Sequence, residues 1–165
     1  VLGKALGGGM LPIAAMIAKP ELDILADQAL GHYTHEKNPL CAASALAEIA
    51  YIEKNKLYEH AARIGEYTLE RLNEMKQRYR LIGEVKGLGL HLGVDLVKDQ
   101  KTKERAVNEA EIIMYKCMER GLAFKTIEGN VITLRPALTI AKKEMDRAID
   151  ILDDAIGEVE AGKIY

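Results

Sequence analysis

The sequence has no tryptophan, one phenylalanine and only two cysteines, Cys41 and Cys117, far apart in a chain rich in lysine and glutamate. So few thiols exclude a disulfide framework and suit a reducing, cytoplasmic setting; both read as packing residues. An excess of charge is missing too: 23 Lys+Arg stand against 25 Asp+Glu, a net −2, with the signs interspersed. That balance excludes nucleic acid or an anionic membrane as the main partner. The longest apolar stretch, Met10 to Ala18, is far short of the ~20 residues that span a bilayer. No charged segment precedes it as in a secretory signal. What remains is a globular composition, 48% hydrophobic, with few Asn and Gln beside its Lys and Glu, a balance that points to a thermophilic source. Val1 opens the sequence without an initiating Met inside a glycine-dense motif, which reads as the edge of a fragment.

Hydrophobic spacing predicts the elements. Leu11 to Ala18, bounded by glycines and Pro20, reads as a short strand buried on both faces. Gly31 to Pro39 reads as a polar loop. Asn38-Pro39 then gives an N-cap and a proline at the first helical position, predicting an alanine-rich helix to about Asn55. A second helix follows on the stripe Leu57, Ala61, Ile64, Leu72, Met75 and Tyr79. After Gly83 the period falls to two. Leu88, Leu90, Leu92, Val94 and Leu96 predict one half-buried strand entered through Gly87. Val107, Ala110, Met114, Cys117 and Met118 share a helical face that Gly121 ends. Strands at Leu122–Thr126 and Val131–Leu134 are joined across Glu128-Gly129-Asn130, a hairpin signal. Met145, Ile149, Leu152, Ile156 and Val159 form the stripe of a last helix. After residue 56 this order reads as a compact α+β unit.

Generic motifs fail in turn. Gly3-Lys4-Ala5 lacks the hydroxyl residue of a phosphate-binding P-loop. Gly87, Gly89 and Gly93 are spaced one residue too far for a dinucleotide fingerprint and lie inside an alternating strand. His32, His35 and Cys41 fit no zinc spacing and have no fourth ligand near, so no metal is assigned.

VLGKALGGGMLPIAA, Val1 to Ala15, remains: a lysine between apolar residues and three glycines. It resembles the class III, or ω-type, pyridoxal-phosphate aminotransferases of fold type I. Thr34-His35-Glu36-Lys37-Asn38-Pro39 is similar to the family's Thr-x-x-x-Asn-Pro. Val85 to Leu90 with Gly93-Val94-Asp95-Leu96 resembles its small-domain strand, and Leu134-Arg135-Pro136-Ala137-Leu138-Thr139-Ile140 its R-x-x-P-L-x-h element. The four matches run in order along nearly the whole chain.

The resemblance implies that Lys4 is the Schiff-base lysine and proton carrier, that Thr34 binds the cofactor phosphate of the neighbouring subunit, and that Arg135 grips a substrate carboxylate. Each has a plainer reading: a snorkelling lysine, a loop hydroxyl, and an arginine paired to Glu144 or Asp146. His91 and Asp95 read as solvated or paired. The chain departs from the pattern at His35-Glu36-Lys37, where glycines are frequent, at Ala137 in place of proline, and at Ala141, where a Ser or Thr cap is common. Val97-Lys98-Asp99 with Thr102-Lys103 is closer to the dialkylglycine decarboxylase branch.

The implied fold is α/β and α+β, the C-terminal part of a fold-type-I enzyme. Residues 1–50 would end the large-domain sheet and 51–165 would form the small domain. The implied enzyme is a homodimer that uses pyridoxal 5'-phosphate to move an amino group between an amino acid or ω-amine, such as 4-aminobutyrate, and a 2-oxo acid. Decarboxylation, racemisation and a non-catalytic remnant are the alternatives. The family's upstream phosphate loop, cofactor-stacking aromatic and pyridinium-pairing Asp have no counterpart in these residues. The isolated 165 residues are therefore expected to be catalytically silent.

Overall fold

The computed structural model describes residues 1–25, 27–28 and 34–163. They separate into two compact units, Val1–Lys56 and Leu57–Tyr165.

In the first unit a 3-10 turn, Lys4–Gly7, runs into Gly8 and Gly9, both left-handed at φ 66° and 74°, and a second short 3-10 turn spans Pro20–Leu22. The buried strand expected over Leu11–Ala18 is absent. Among the described residues Ala15 alone pairs there, bridging Leu2, and Met16 and Ile17 are 76% and 79% exposed. An apolar run makes a strand only where a neighbour satisfies its N–H and C=O groups, and here one bridge does so. Helix α1, Pro39–Lys54, begins as the sequence predicts. The Asn38 side chain accepts hydrogen bonds from the backbone of Leu40 and Cys41, and Pro39 fills the first helical position. The Ser44 hydroxyl donates to the Gly7 carbonyl at 3.0 Å, tying α1 to the glycine turn.

The second unit packs helices on an antiparallel four-stranded sheet of order β1-β2-β4-β3, with β1 at Ile82–Leu88, β2 at His91–Leu96, β3 at Lys125–Ile127 and β4 at Val131–Leu134. Helix α2, Leu57–Arg78, buries Ile64, Leu72 and Met75 as its stripe predicts. The single strand expected over residues 88–97 is instead the turn and second arm of a hairpin. Leu88 pairs with His91, and Gly89, at φ 55°, takes the left-handed first position of a two-residue turn. Paired residues share a face, so Leu88 follows His91 to solvent (88% exposed), while Leu92, Val94 and Leu96 are buried as expected.

Helix α3, Val107–Glu119, turns Ala110, Ile113 and Cys117 inward. Val107 and Met118, expected on that face, are exposed. The β3–β4 hairpin forms as predicted, with Glu128 and Gly129 both left-handed, although β3 starts at Lys125. Helix α4, Lys142–Glu160, closes the core with Met145, Ile149, Leu152 and Ile156. The missing hydroxyl at Ala141 is offset by the Glu144 carboxylate, which accepts the Ala141 N–H at 2.8 Å. Arg71 of α2 reaches Asp146 and Asp150 of α4, and Arg78 reaches Asp153.

Candidate functional site

Lys4 opens the 3-10 turn at φ 51°, a conformation that costs a side-chain-bearing residue about 1–3 kcal/mol and persists where surrounding structure holds it. What holds it is the packing of the turn. A β-carbon on Gly7 would come within 3.1 Å of the Ile13 side chain, and Ser44 grips the Gly7 carbonyl. The Lys4 side chain is exposed and lines a shallow depression with Pro12 and Ile13. Among the described residues its ammonium makes no hydrogen bond or ion pair.

Thr34 starts the turn over residues 34–37, where Lys37 is left-handed at φ 57°, directly before the Asn38 cap. Its hydroxyl is exposed and unpartnered among the described residues. His35 is exposed in the same turn, and His32, with residues 31 and 33 of the expected loop, lies outside the described residues.

Arg135 belongs to the second unit. It follows the last residue of β4, is exposed, and precedes Pro136. The two carboxylates that could have made it a plain ion-pair residue are engaged elsewhere. Glu144 caps Ala141, while Asp146 takes Lys142 at 3.0 Å, Arg71 at 3.4 Å and the Tyr67 hydroxyl. The Tyr67 bond, then Lys142, hold the Asp146 carboxyl below its ordinary range. Among the described residues Arg135 therefore has no acidic partner. It stands at a cavity of about 500 Å³ walled by Leu122, Phe124, Leu134, Ile140 and Met145, with Lys125 also at its lining.

The segment after Arg135 is anchored by a residue that sequence reasoning passed over. His60 Nε2 lies 2.8 Å from the Ile140 carbonyl oxygen and donates to it. That leaves Nδ1 to accept from Arg63 at 3.1 Å. Eighty residues separate His60 from Ile140, so no local pattern could have linked them. Asp95 is paired, accepting from the Asn130 amide at 2.6 Å, and His91 is exposed, as read from the sequence.

The arrangement thus offers a primary amine and a hydroxyl in one unit, and a guanidinium beside an apolar cavity in the other. The amine and hydroxyl of the first unit are groups that suit an aldehyde and a phosphate, and the guanidinium of the second, taken by itself, suits a carboxylate.

The family described as aminotransferase class-III matches residues 1–156. (R)-1-hydroxy-2-aminoethylphosphonate ammonia-lyase of Vibrio splendidus is 45% identical over 158 residues, which are 96% of this chain and 33% of that protein. Leucine/methionine racemase of Thermococcus litoralis is 44% identical over 165 residues, 99% of this chain and 37% of the racemase. An amine transaminase from an uncultivated Pseudomonas species, solved in its PLP-bound form, is similar with a TM-score of 0.87 at 28% identity, covering 94% of this chain and 37% of that one. The chain thus spans 33% to 37% of the length of these two curated relatives.

Proposed function

The chain belongs to the class-III aminotransferases, and from that membership we propose that the whole protein moves an amino group between an amino acid or ω-amine and a 2-oxo acid. Pyridoxal phosphate is the cofactor of the family. The unit Val1–Lys56 is assigned to the large cofactor domain and the unit Leu57–Tyr165 to the small one, in a homodimer. The observation that carries the reading is that Lys4, Thr34 and Arg135 are each exposed and unpartnered among the described residues, while Arg71, Arg78 and Arg120 are held in ion pairs.

Lys4 Nζ would bind the cofactor aldehyde and, once the substrate amine has taken its place, carry a proton to and from the substrate. The Thr34 hydroxyl and backbone N–H would bind phosphate oxygens. Arg135 presents a planar fork for two parallel hydrogen bonds to a carboxylate, fixing the substrate's orientation. When bound, the cofactor supplies an electron sink for the pair left at the carbon that loses its proton.

Racemisation of an amino acid is the second reading. It is supported by the 44% identity to the leucine/methionine racemase over 99% of this chain. The test is to incubate the full-length protein and cofactor with amino donors, 4-aminobutyrate included, and 2-oxoglutarate. Glutamate formation supports transfer. Loss of optical rotation without glutamate replaces it with racemisation, and CO₂ release with decarboxylation.

A further inference from the structure

Residues 135–141 join β4 to α4 without regular structure, and their two ends are fixed by different means. Leu134, just before Arg135, is locked into the sheet opposite Leu92. Pro136 has a ring-fixed φ and biases Arg135 toward extended backbone. At the far end the Ile140 N–H donates to the Ala137 carbonyl at 3.0 Å, and the Glu144 carboxylate takes the Ala141 N–H at 2.8 Å. These bonds shape the turn, but both stay within the segment and the start of α4. The Ile140 side chain packs against the core. Among the described residues the one hydrogen bond from this segment to an element other than α4 is made by His60, half-buried in the first turn of α2, whose Nε2 lies 2.8 Å from the Ile140 carbonyl oxygen. Both ring nitrogens have forced roles. A carbonyl only accepts, so Nε2 carries the proton, and a guanidinium only donates, so Nδ1 presents its lone pair to Arg63 at 3.1 Å. No backbone N–H among the described residues takes that carbonyl in place of His60.

We propose that His60 is a positioning residue for Arg135: by fastening Ile140 to α2 it fixes the span of the segment and so the place at which the guanidinium meets a substrate carboxylate. The inference rests on the reading of Arg135 as the group that binds that carboxylate, and adds to it a residue from another element that acts only through the backbone. With the β4 ladder at one end and His60 at the other, little freedom is left between them. Released at Ile140, the segment gains backbone freedom that a bound substrate must remove again, and affinity for the carboxylate falls. Arg63 acts one step further back, since its hydrogen bond holds the imidazole in the tautomer that the Ile140 carbonyl needs.

The experiment compares His60→Leu with His60→Gln in the full-length, cofactor-loaded protein, with an amino acid and an amine lacking a carboxylate as substrates and Arg135→Gln as the reference. Leucine keeps bulk and loses the donor, whereas the glutamine amide offers an N–H in place of Nε2. In His60→Leu the KM for the amino acid should rise about 2- to 12-fold, the range one hydrogen bond is worth. The change should fall on KM rather than kcat, spare the amine, and be largely reversed in His60→Gln. Hydrogen exchange at the Ile140 and Ala141 amides, measured without substrate, should quicken in His60→Leu and return toward the wild type in His60→Gln. Should His60→Leu not fold, His60→Ala makes the same test. In a protein without turnover the Kd of hexanoate, an acid with no amine to react, gives the same comparison. Equal losses for both substrates, or a lowered melting temperature with an unchanged KM, would overturn the proposal, as would wild-type exchange at the two amides. A loss in Arg135→Gln beside wild-type affinity in His60→Leu removes the positioning role alone. Wild-type affinity in Arg135→Gln removes the reading of Arg135 and this inference with it.

Discussion

A β-carbon placed on Gly65 in the middle of α2 would lie 2.1 Å from the carbonyl oxygen of Gly89 at the tip of the β1–β2 hairpin. Helix and hairpin therefore meet backbone to backbone. Glycine inside a helix costs about 1 kcal/mol against alanine, so Gly65→Ala should stabilise α2 if helix propensity decided the matter. The contact decides it. The added methyl must push the hairpin off the helix, and the variant should lose about 1–3 kcal/mol in urea denaturation. A variant as stable as the wild type would show that the tip yields freely.

Lys4→Ala should abolish turnover of the full-length enzyme and leave its melting temperature unchanged, because the side chain is exposed and holds nothing in the fold. Borohydride reduction of the cofactor-loaded wild type followed by peptide mapping should mark Lys4. Wild-type turnover in the variant, or labelling spread over other lysines, removes the assignment.

Arg135→Lys keeps the charge and loses the planar fork. Affinity for carboxylate substrates should fall by about 1.5–3 kcal/mol, the worth of a charged hydrogen-bonded contact. An amine donor without a carboxylate should be little affected. Equal losses for both would assign Arg135 to the fold.

The two thiols should react in sequence. Burial pushes the Cys117 thiol up to about 12 and seals it from solvent, whereas Cys41 in the first turn of α1 is half-buried. Peptide mapping after treatment with a thiol reagent at neutral pH should find Cys41 labelled in the native protein and Cys117 labelled only after unfolding. Fast labelling of Cys117 in the folded protein would contradict the burial.

Asp146 and Glu158, which tie α4 to α2 and α3, should contribute to the acid limb of stability beside Glu84 and Asp99, which are also held low. Asp146 is held low by the Tyr67 hydroxyl and then Lys142, and Glu158 by Arg120 and then Lys116. A carboxylate whose folded value lies below its unfolded one contributes stability above the unfolded value and loses it as pH falls through the folded one. The melting temperature should thus hold from neutrality to about pH 5, then fall at and below the ordinary values of 4.5 for Glu and 3.8 for Asp. Asp146→Asn should make that fall shallower, and an unaltered acid limb would show that the Tyr67 bond does not persist in solution.

The parts legible in the sequence are those that a segment dictates to itself. The stripe from Met145 to Val159 makes an amphipathic helix wherever a core receives it, and Asn38-Pro39 and Glu128-Gly129-Asn130 carry their cap and turn in local chemistry. The β1–β2 hairpin was hidden because Gly89 and Leu90 turn the chain inside an unbroken alternation, and only the pairing of Leu88 with His91 reveals the flip of face. Leu11 to Ala18 reads as a strand by composition, but a strand is completed by neighbours that composition does not contain. Lys4, Thr34 and Arg135 were named from motif context. The cavity at Arg135 and the His60 anchor were not legible, since each joins residues from distant elements through space alone.

Helix α4 supplies Met145, Ile149, Leu152 and Ile156 to a core whose other walls are α2, the sheet and α3, and its acidic side chains pair with arginines some 75 to 79 positions earlier. During biosynthesis those walls leave the ribosome first. Leu72, Met75, Leu92 and Ile113 thus wait with one side uncovered until translation has passed Val159. Closure of this unit is a late, long-range event, so a nascent chain stalled before α4 presents the apolar surface that chaperones hold and proteases cut.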